Sequence, residues 1–223
     1  MTEVSERLNL LQARTALYSL LAKATDYPDE ALFESLVRGE FTSQLRKAGS
    51  KVLRGECLDR ELEAIEMSYT DKGNLLLELQ KDYTRMCFAS KPRLVPLFES
   101  VYKEGKLFQE STFEIAMLYD QAGLKLAQDF KLPPDHITLE LEFMAYLCFQ
   151  EGKAVGSCNG ENEKIATYLQ REVLEKHVGQ FGISFAERLE KHARHPFYRS
   201  MACLLVEFLL TELSRCGTAC NYS

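Results

Sequence analysis

The organisation of this chain is decided by the stretch Leu132-Pro133-Pro134-Asp135-His136-Ile137-Thr138-Leu139-Glu140-Leu141-Glu142-Phe143-Met144. Pro134 cannot continue a helix from the preceding residues, so we expect one segment to end here and a new helix to begin. Asp135 is predicted to be the N-cap, because its carboxylate can accept a hydrogen bond from an otherwise unpaired backbone N–H. His136 then lies in the first turn, and residues 132–136 are expected to form a hinge.

The helix after this step is predicted to bury one apolar stripe. Its members share three- and four-residue spacing: Ile137, Leu141, Met144, Ala145 and Cys148. His136 and Glu140 lie one turn apart and are expected on a different face. An imidazole and the carboxylates of Asp135, Glu140 and Glu142 therefore meet at one helix start.

Helical periodicity dominates the rest of the chain, and no run shows a convincing alternation of apolar and polar residues with β-branched enrichment. We therefore expect an all-α fold, a single helical domain of about ten helices. Its predicted parts are a larger N-terminal lobe (1–131), the hinge (132–136) and a smaller C-terminal lobe (137–223). Besides the helix after Asp135, helices are predicted over Ser5 to Ala24, Glu30 to Arg38, Thr42 to Leu53, Leu58 to Tyr69, Leu75 to Cys87, Thr112 to Phe130, Ile165 to His177 and Pro196 to Cys216.

Two stretches are predicted to be irregular. The residues from Lys91 to Glu99 contain two prolines, which remove backbone donors and favour extended geometry, so we expect an apolar loop laid across the surface. The polar residues from Glu151 to Glu163 contain three glycines and are expected to form a mobile or functional loop.

Charge and composition narrow the classes of partner. The 223 residues include 27 basic and 33 acidic ones, which gives a formal charge of -6. This balance disfavours nucleic acid and anionic membrane surfaces and suits a basic partner. Seven cysteines at scattered positions are expected to be reduced thiols without a structural disulfide.

The sequence indicates a cytoplasmic protein without an integral membrane segment. It begins Met1-Thr2-Glu3-Val4-Ser5-Glu6-Arg7, which is polar and lacks the apolar run of an export signal. The most apolar segment, residues 201–210, contains Glu207 and is half of the ~20 residues that a membrane helix needs.

The cluster of Asp135, His136, Glu140 and Glu142 has four interpretations: an acid-base centre, a metal site, a cation-binding groove, or a helix cap with solvated acids. A catalytic dyad needs a nucleophile or water position and an oxyanion donor, and the sequence nominates neither. A zinc site needs three or four nitrogen or sulfur ligands, and this cluster offers one histidine. Binding of a cation is chemically the better fit, because carboxylates bind guanidinium groups in bidentate fashion, and a peptide with two adjacent arginines would present two such groups.

The Pro-x-Asp-His step from Pro133 to His136, with the acidic-apolar helix after it, resembles the signature of the TorD/DmsD/NarJ family of cytoplasmic chaperones for molybdenum-enzyme maturation. Four further segments agree with that family in order and spacing: Arg14-Thr15-Ala16-Leu17-Tyr18-Ser19-Leu20-Leu21-Ala22, Asp82-Tyr83-Thr84-Arg85-Met86-Cys87-Phe88, Pro96-Leu97-Phe98-Glu99-Ser100-Val101-Tyr102 and His195-Pro196-Phe197-Tyr198. The resemblance spans nearly the whole chain and implies a chaperone without catalytic residues, metal or cofactor of its own. Its implied partners are the twin-arginine signal peptide and the apo catalytic subunit of a molybdoenzyme, whose export it delays while the cofactor is inserted. Asp135 and His136 match the family's peptide-site signature, and helix geometry adds Glu140.

A peptide site also needs apolar contacts. A micromolar complex requires about -8 kcal/mol, whereas a partly exposed ion pair contributes roughly 0.2–1 kcal/mol. A twin-arginine leader supplies both parts, because an apolar run follows its arginines. The predicted apolar contacts are Tyr18, Tyr83, Phe88, Leu97, Phe98 and Tyr102, and Glu99 is predicted to add a carboxylate.

Other functions stay open at this point. One is a helical enzyme or metalloprotein that uses the Asp135, His136 and Glu140 cluster, and another is an adaptor that recognises a folded partner. His192 and His195 with Cys216 and Cys220 form a loose candidate for a second metal site. Phosphate-binding loops and the common hydrolase motifs are absent from the sequence. A monomer is expected, with exchange of the C-terminal lobe as a route to a swapped dimer.

Overall fold

The computed structural model describes residues 3–68, 73–89, 91–125 and 132–217. Within these ranges it contains eleven α-helices and one short π-helical segment, and no β-strand. The all-α prediction is therefore confirmed. The helices are α1 (Glu3–Thr25), α2 (Glu30–Val37), α3 (Glu40–Gly49), α4 (Gly55–Met67), α5 (Leu75–Thr84) followed by the π-segment (Arg85–Ala89), α6 (Glu99–Lys103), α7 (Glu110–Gln121), α8 (Ile137–Gly156), α9 (Gly160–Lys176), α10 (Val178–His192) and α11 (Pro196–Arg215).

Helix starts follow local capping chemistry. Asp29 is the N-cap of α2, and its carboxylate accepts a hydrogen bond from Leu32 N at 2.7 Å. His195 is the N-cap of α11, where its ring nitrogen accepts from Phe197 N and Pro196 occupies the first turn.

The helices share one hydrophobic core. α1 packs along α8, α8 along α9 and α10 along α11, while α3 and α4 close the side of the bundle. The buried cluster includes Leu17 and Leu21 from α1 together with Leu141, Met144 and Leu205 from the C-terminal half. Residues on both sides of 132–136 therefore contribute to the same core, and the division into two lobes stays a prediction.

The predicted helix from Thr112 to Phe130 is wrong at its C-terminal end, because α7 ends at Gln121. Gly123 takes a positive φ of 76°, which favours glycine. Leu124 N donates to Tyr119 O and Gly123 N donates to Asp120 O, the bond pattern that ends many helices. Residues 126–131, including Phe130, lie outside the described part of the chain.

The loop predicted from Glu151 to Glu163 is also wrong. α8 continues to Gly156 and α9 begins at Gly160, so that only residues 157–159 connect them. A Cβ built at Gly152 would lie 3.9 Å from Leu11 Cβ, so this glycine is located where α8 packs against α1. Packing against a neighbouring helix thus offsets the weak helical propensity of Gly152.

The sequence interpretation missed α10, since it placed two helices after residue 164 where the structure has three. Two glycines of α10 lie at close approaches. A Cβ at Gly182 would lie 2.9 Å from Leu209 Cδ1, and one at Gly179 would clash with the Leu174 carbonyl oxygen. These glycines allow tight contacts and do not break the helix.

We call residues 94–99 the strap; they are non-helical up to Phe98, and Glu99 is the first residue of α6. Its irregular conformation was predicted, but the expectation that it crosses the surface is wrong, because Val95 and Leu97 are buried. Leu94 N and Val95 N both donate to Met86 O, so the strap is attached to the π-segment at one end. Its other end enters α6 at Glu99.

No helix in the described ranges is long and apolar enough to cross a membrane.

Candidate functional site

The strap is hydrogen-bonded to the start of α8. Glu99 N donates to Asp135 O at 2.9 Å, and Ile137 N donates to Leu97 O at 2.9 Å. Between these bonds Phe98 and His136 face each other with ring centroids 5.2 Å apart in an edge-on arrangement. We call this pairing of residues 97–99 with residues 135–137 the seam.

The N-cap of α8 is His136, so the prediction of Asp135 in that position is wrong. The His136 Nδ1 atom accepts a hydrogen bond from Thr138 N at 3.2 Å. The Asp135 carboxylate instead accepts from Ser100 N at 3.0 Å, in the first turn of α6. Asp135 therefore caps a helix that lies 35 residues earlier in the chain.

The predicted polar cluster is buried. Asp135, Glu140 and Glu99 have no exposed surface, and His136 is 3% exposed. The expectation that His136 and Glu140 lie on a face other than the buried one is wrong, because the strap and α6 cover that face. In this conformation a peptide cannot contact these side chains.

The carboxyl groups of the cluster differ in their partners. Glu99 accepts from Lys103 Nζ at 2.6 Å and contacts His177 Nδ1 at 2.9 Å. Among the described residues neither carboxyl oxygen of Glu140 has a hydrogen-bond partner, and Asp135 Oδ1 also has none. These are orphaned polar atoms in a dry site, which is unfavourable unless a proton or a ligand satisfies them.

Burial determines the protonation states of the cluster. It raises the pKa of Glu140 well above its ordinary value, and the negative charges of Glu99 and Asp135 raise that pKa further. Burial also lowers the pKa of His136 to about 4, which outweighs the effect of nearby Asp26 and Asp135. The sequence left the charge of His136 open, and the structure makes it a neutral ring that serves as a hydrogen-bond acceptor.

Only some of the predicted aromatic contacts lie near this cluster. Phe98 is part of the seam, and the Tyr102 hydroxyl donates to Pro96 O at 2.9 Å, so both belong to the strap region. Tyr83 is buried and its hydroxyl donates to Thr25 O at 2.9 Å. Phe88, which is 46% exposed, contacts the Tyr83 ring.

Tyr18 belongs to a different buried network that the sequence interpretation missed. Its hydroxyl donates to the Glu212 carboxylate at 3.0 Å, and Arg14 donates to the same carboxylate at 2.6 Å. Arg14 also donates to Gln170 at 2.8 Å. The only signal in the sequence was an arginine among the apolar residues of α1, and nothing indicated that its partner lies 198 residues away.

The structure also contains an apolar groove along α8 that was not predicted. We define the α8 groove by two cavities of about 620 and 300 Å³ that share Tyr146. Leu139, Glu142, Phe143, Tyr146, Gln150, Lys153, Ala154 and Ser157 line it from α8 and its C-cap, at three- and four-residue spacing. One wall consists of residues 119–125, and the other is α9, which contributes Asn162, Ile165, Ala166 and Leu169. Cavities of this size are typical of ligand sites.

The sequence left two metal sites open, one at the Asp135 cluster and one at His192, His195, Cys216 and Cys220. Within the described ranges no three His, Cys, Asp or Glu side chains are arranged to hold a metal ion. The alternative that used Cys220 includes a residue outside those ranges. The six described cysteines are free thiols, as expected.

Comparison with known proteins identifies the family. Residues 55–187 match the family model described as nitrate reductase delta subunit. The chain is similar to two assembly chaperones over 104 residues, which are 47% of its length. It is 33% identical to the chlorate reductase assembly chaperone protein of Ideonella dechloratans and 32% identical to the selenate reductase assembly chaperone protein of Thauera selenatis. Each match covers 52% of the relative, so the chain spans about half the length of these two proteins.

Two further relatives match most of the chain. The chaperone protein TorD of Vibrio cholerae is 24% identical over 194 residues, which cover 86% of this chain and 85% of TorD. The fold is similar to that in a crystal structure from Archaeoglobus fulgidus, of a protein assigned to redox enzyme maturation. The aligned region covers 89% of this chain and 93% of that chain, with a TM-score of 0.53. At 23% identity that structure shows the shared fold alone. The resemblance seen in the sequence is confirmed, and the chain belongs to the nitrate reductase delta subunit family of TorD/NarJ-like proteins.

Proposed function

We propose that this protein is a cytoplasmic assembly chaperone for the catalytic subunit of a molybdenum-cofactor oxidoreductase, and that it catalyses no reaction itself. The observation that carries this proposal is the family match over residues 55–187, together with relatives named as assembly chaperones of two reductases. In this role the protein holds the apo subunit while the cofactor is inserted and delays its export.

The finer part of the proposal is that the chaperone binds a leader with two adjacent arginines followed by an apolar run. The overall charge of -6 favours a basic leader. Asp135 and Glu140 are suitable guanidinium acceptors, but both are buried under the strap. We therefore propose that the arginines reach them only after the strap has moved.

The α8 groove provides an accessible surface for the apolar run. Ile165 lines it and is 48% exposed, and Tyr146, Leu147 and Leu169 form apolar parts of its walls. Burial of about 300 Å² of apolar surface at ~25 cal/mol per Å² corresponds to the free energy of a micromolar complex, before association costs are subtracted. We propose that the groove supplies this apolar contribution, which ion pairs alone cannot give.

Isothermal titration calorimetry of the full chain tests the leader proposal. The probe is a synthetic peptide with two adjacent arginines followed by an alanine–leucine run, compared with its Lys-Lys version. We expect binding of the twin-arginine peptide and weaker binding of the Lys-Lys version, because lysine lacks the bidentate fork. Ile165→Lys should weaken binding by about tenfold, since it removes one buried apolar side chain.

Leu77→Lys is the matched control, because Leu77 has the same exposed fraction of 48% but lies on α5 and does not line the groove. Absence of heat with both peptides would favour an adaptor that recognises a folded partner. Stoichiometric zinc or iron in protein purified without an affinity tag would favour a metalloprotein. Co-purification of an oxidoreductase subunit from the native cell tests the chaperone role itself.

A further inference from the structure

The seam covers three carboxyl groups that come from two separate parts of the chain. Glu99 ends the strap, while Asp135 and Glu140 flank the start of α8, and all three are fully buried. Lys103 forms an ion pair with Glu99 at 2.6 Å. Orphaned oxygens remain on Asp135 and on Glu140.

Three adjacent buried carboxyl groups cannot all remain ionised, because each charge disfavours the others and water does not screen them. A proton on Glu140 removes one of these charges and turns one orphaned oxygen into a donor. Glu99 is the neighbouring charge with the strongest effect on Glu140, so its carboxylate is the acceptor for a hydrogen bond from that donor. Two carboxyl groups can make such a bond only when one of them carries a proton.

Every element around Glu140 places a titratable or charged group in this region. α6 contributes Glu99 and Lys103, and the 133–136 step contributes Asp135. The junction of α9 and α10 contributes His177, which contacts Glu99 rather than Glu140. α7 contributes Tyr119, whose hydroxyl donates to Pro134 O at 2.8 Å. Among the described groups with the largest effects on Glu140, Lys103 favours its ionised form.

We propose that Glu140 keeps a proton at neutral pH and shares it with Glu99, and that this proton holds the strap closed over the start of α8. Glu99 also donates its backbone N–H across the seam to Asp135 O, so a side-chain bond to Glu99 directly supports the seam. Loss of the proton places two or three adjacent negative charges under the strap, and their repulsion separates the two sides. This inference does not depend on the proposed function.

Hydrogen exchange of the amides that support the closed strap tests the proposal. The amides are Glu99 N, Ser100 N and Ile137 N, which donate to Asp135 O, Asp135 Oδ2 and Leu97 O. After correction for the intrinsic exchange rate, their opening constant in the wild-type protein should rise with pH, by up to about tenfold per unit while Glu140 stays protonated in the closed form. In Glu140→Gln, which keeps a neutral side chain that can donate to Glu99, the opening constant should not rise with pH.

Glu142→Gln is the matched control, because Glu142 lies on the same helix but is exposed and lines the α8 groove instead. It should keep the wild-type pH dependence of the seam amides. Equal pH dependence in the wild type and in Glu140→Gln would overturn the proposal. A second measurement is independent of any variant: infrared spectra of the wild-type protein at pH 7 should show the carbonyl stretch of a buried protonated carboxyl group, and its absence would also overturn the proposal.

Discussion

Replacement of Arg14 by methionine should strongly destabilise the fold. The guanidinium group is anchored to Glu212 by three hydrogen bonds of 2.6 to 2.9 Å, and the Glu212 side chain has no exposed surface. Tyr18 donates a further bond to the same carboxylate. Arg14→Met keeps most of the apolar volume of the side chain but leaves the buried carboxylate with only the longer ion pair to Arg215, at 3.6 Å.

Removal of one partner of a buried ion pair costs about 3–5 kcal/mol, because the remaining charge stays desolvated. We expect Arg14→Met to lower the free energy of unfolding by that amount. The double variant Arg14→Met, Glu212→Leu removes both charges and should recover most of the loss, since replacement of a buried pair by apolar residues is often neutral. The two substitutions are therefore expected to be strongly non-additive.

Urea unfolding followed by circular dichroism measures these differences. The control pair is Glu34 and Arg38, whose side chains are 57% and 62% exposed and 3.0 Å apart. Its disruption should cost no more than about 0.5 kcal/mol. A loss below about 1 kcal/mol in Arg14→Met, or a double variant whose loss equals the sum of the two single losses, would refute the reasoning.

Two further predictions concern stability. Burial lowers the pKa of His136 to about 4. As the pH falls from 6.5 to 4, this histidine is therefore protonated in the unfolded chain before it is protonated in the folded one, and the free energy of unfolding should fall by up to about 3 kcal/mol. His136→Asn keeps an acceptor for Thr138 N and should lose less between the same two pH values in urea titrations; an equal loss would contradict the assignment. Gly179→Ala would place a Cβ against the Leu174 carbonyl oxygen and should cost about 1–3 kcal/mol, whereas Gly152→Ala meets only an ordinary contact and should be neutral or gain about 0.5–1 kcal/mol. Thermal unfolding of both variants tests this contrast. Equal unfolding midpoints of Gly179→Ala and Gly152→Ala would contradict it.

The sequence was sufficient for features that depend on local chemistry. The spacing of Ile137, Leu141 and Met144 predicted a buried helix face, and all three side chains are buried. The prolines of the strap predicted an irregular segment. Motifs distributed along the chain indicated the family, which the comparison confirmed.

Errors arose where a distant segment changed the environment of a residue. Gly152 looked like part of a loop, but contact with α1 allows a helix there. Asp135 looked like the cap of its own helix, but its carboxylate is bonded to Ser100 N, because the strap brings α6 beside it. The residues that line the α8 groove were read as helix positions, but the second wall of the groove comes from α9.

The amino-acid order by itself determined the helical class and a helix start just after Pro134, because periodicity and proline geometry act over a few residues, and its motifs indicated the family. Only the tertiary structure decided that Glu99 and Glu140 share one buried site and that His177, 78 residues from Glu99, contacts it. The protonation of such a site depends on desolvation and on the charges that face it. Those quantities are set by which segments pack together and cannot be read from spacing along the chain.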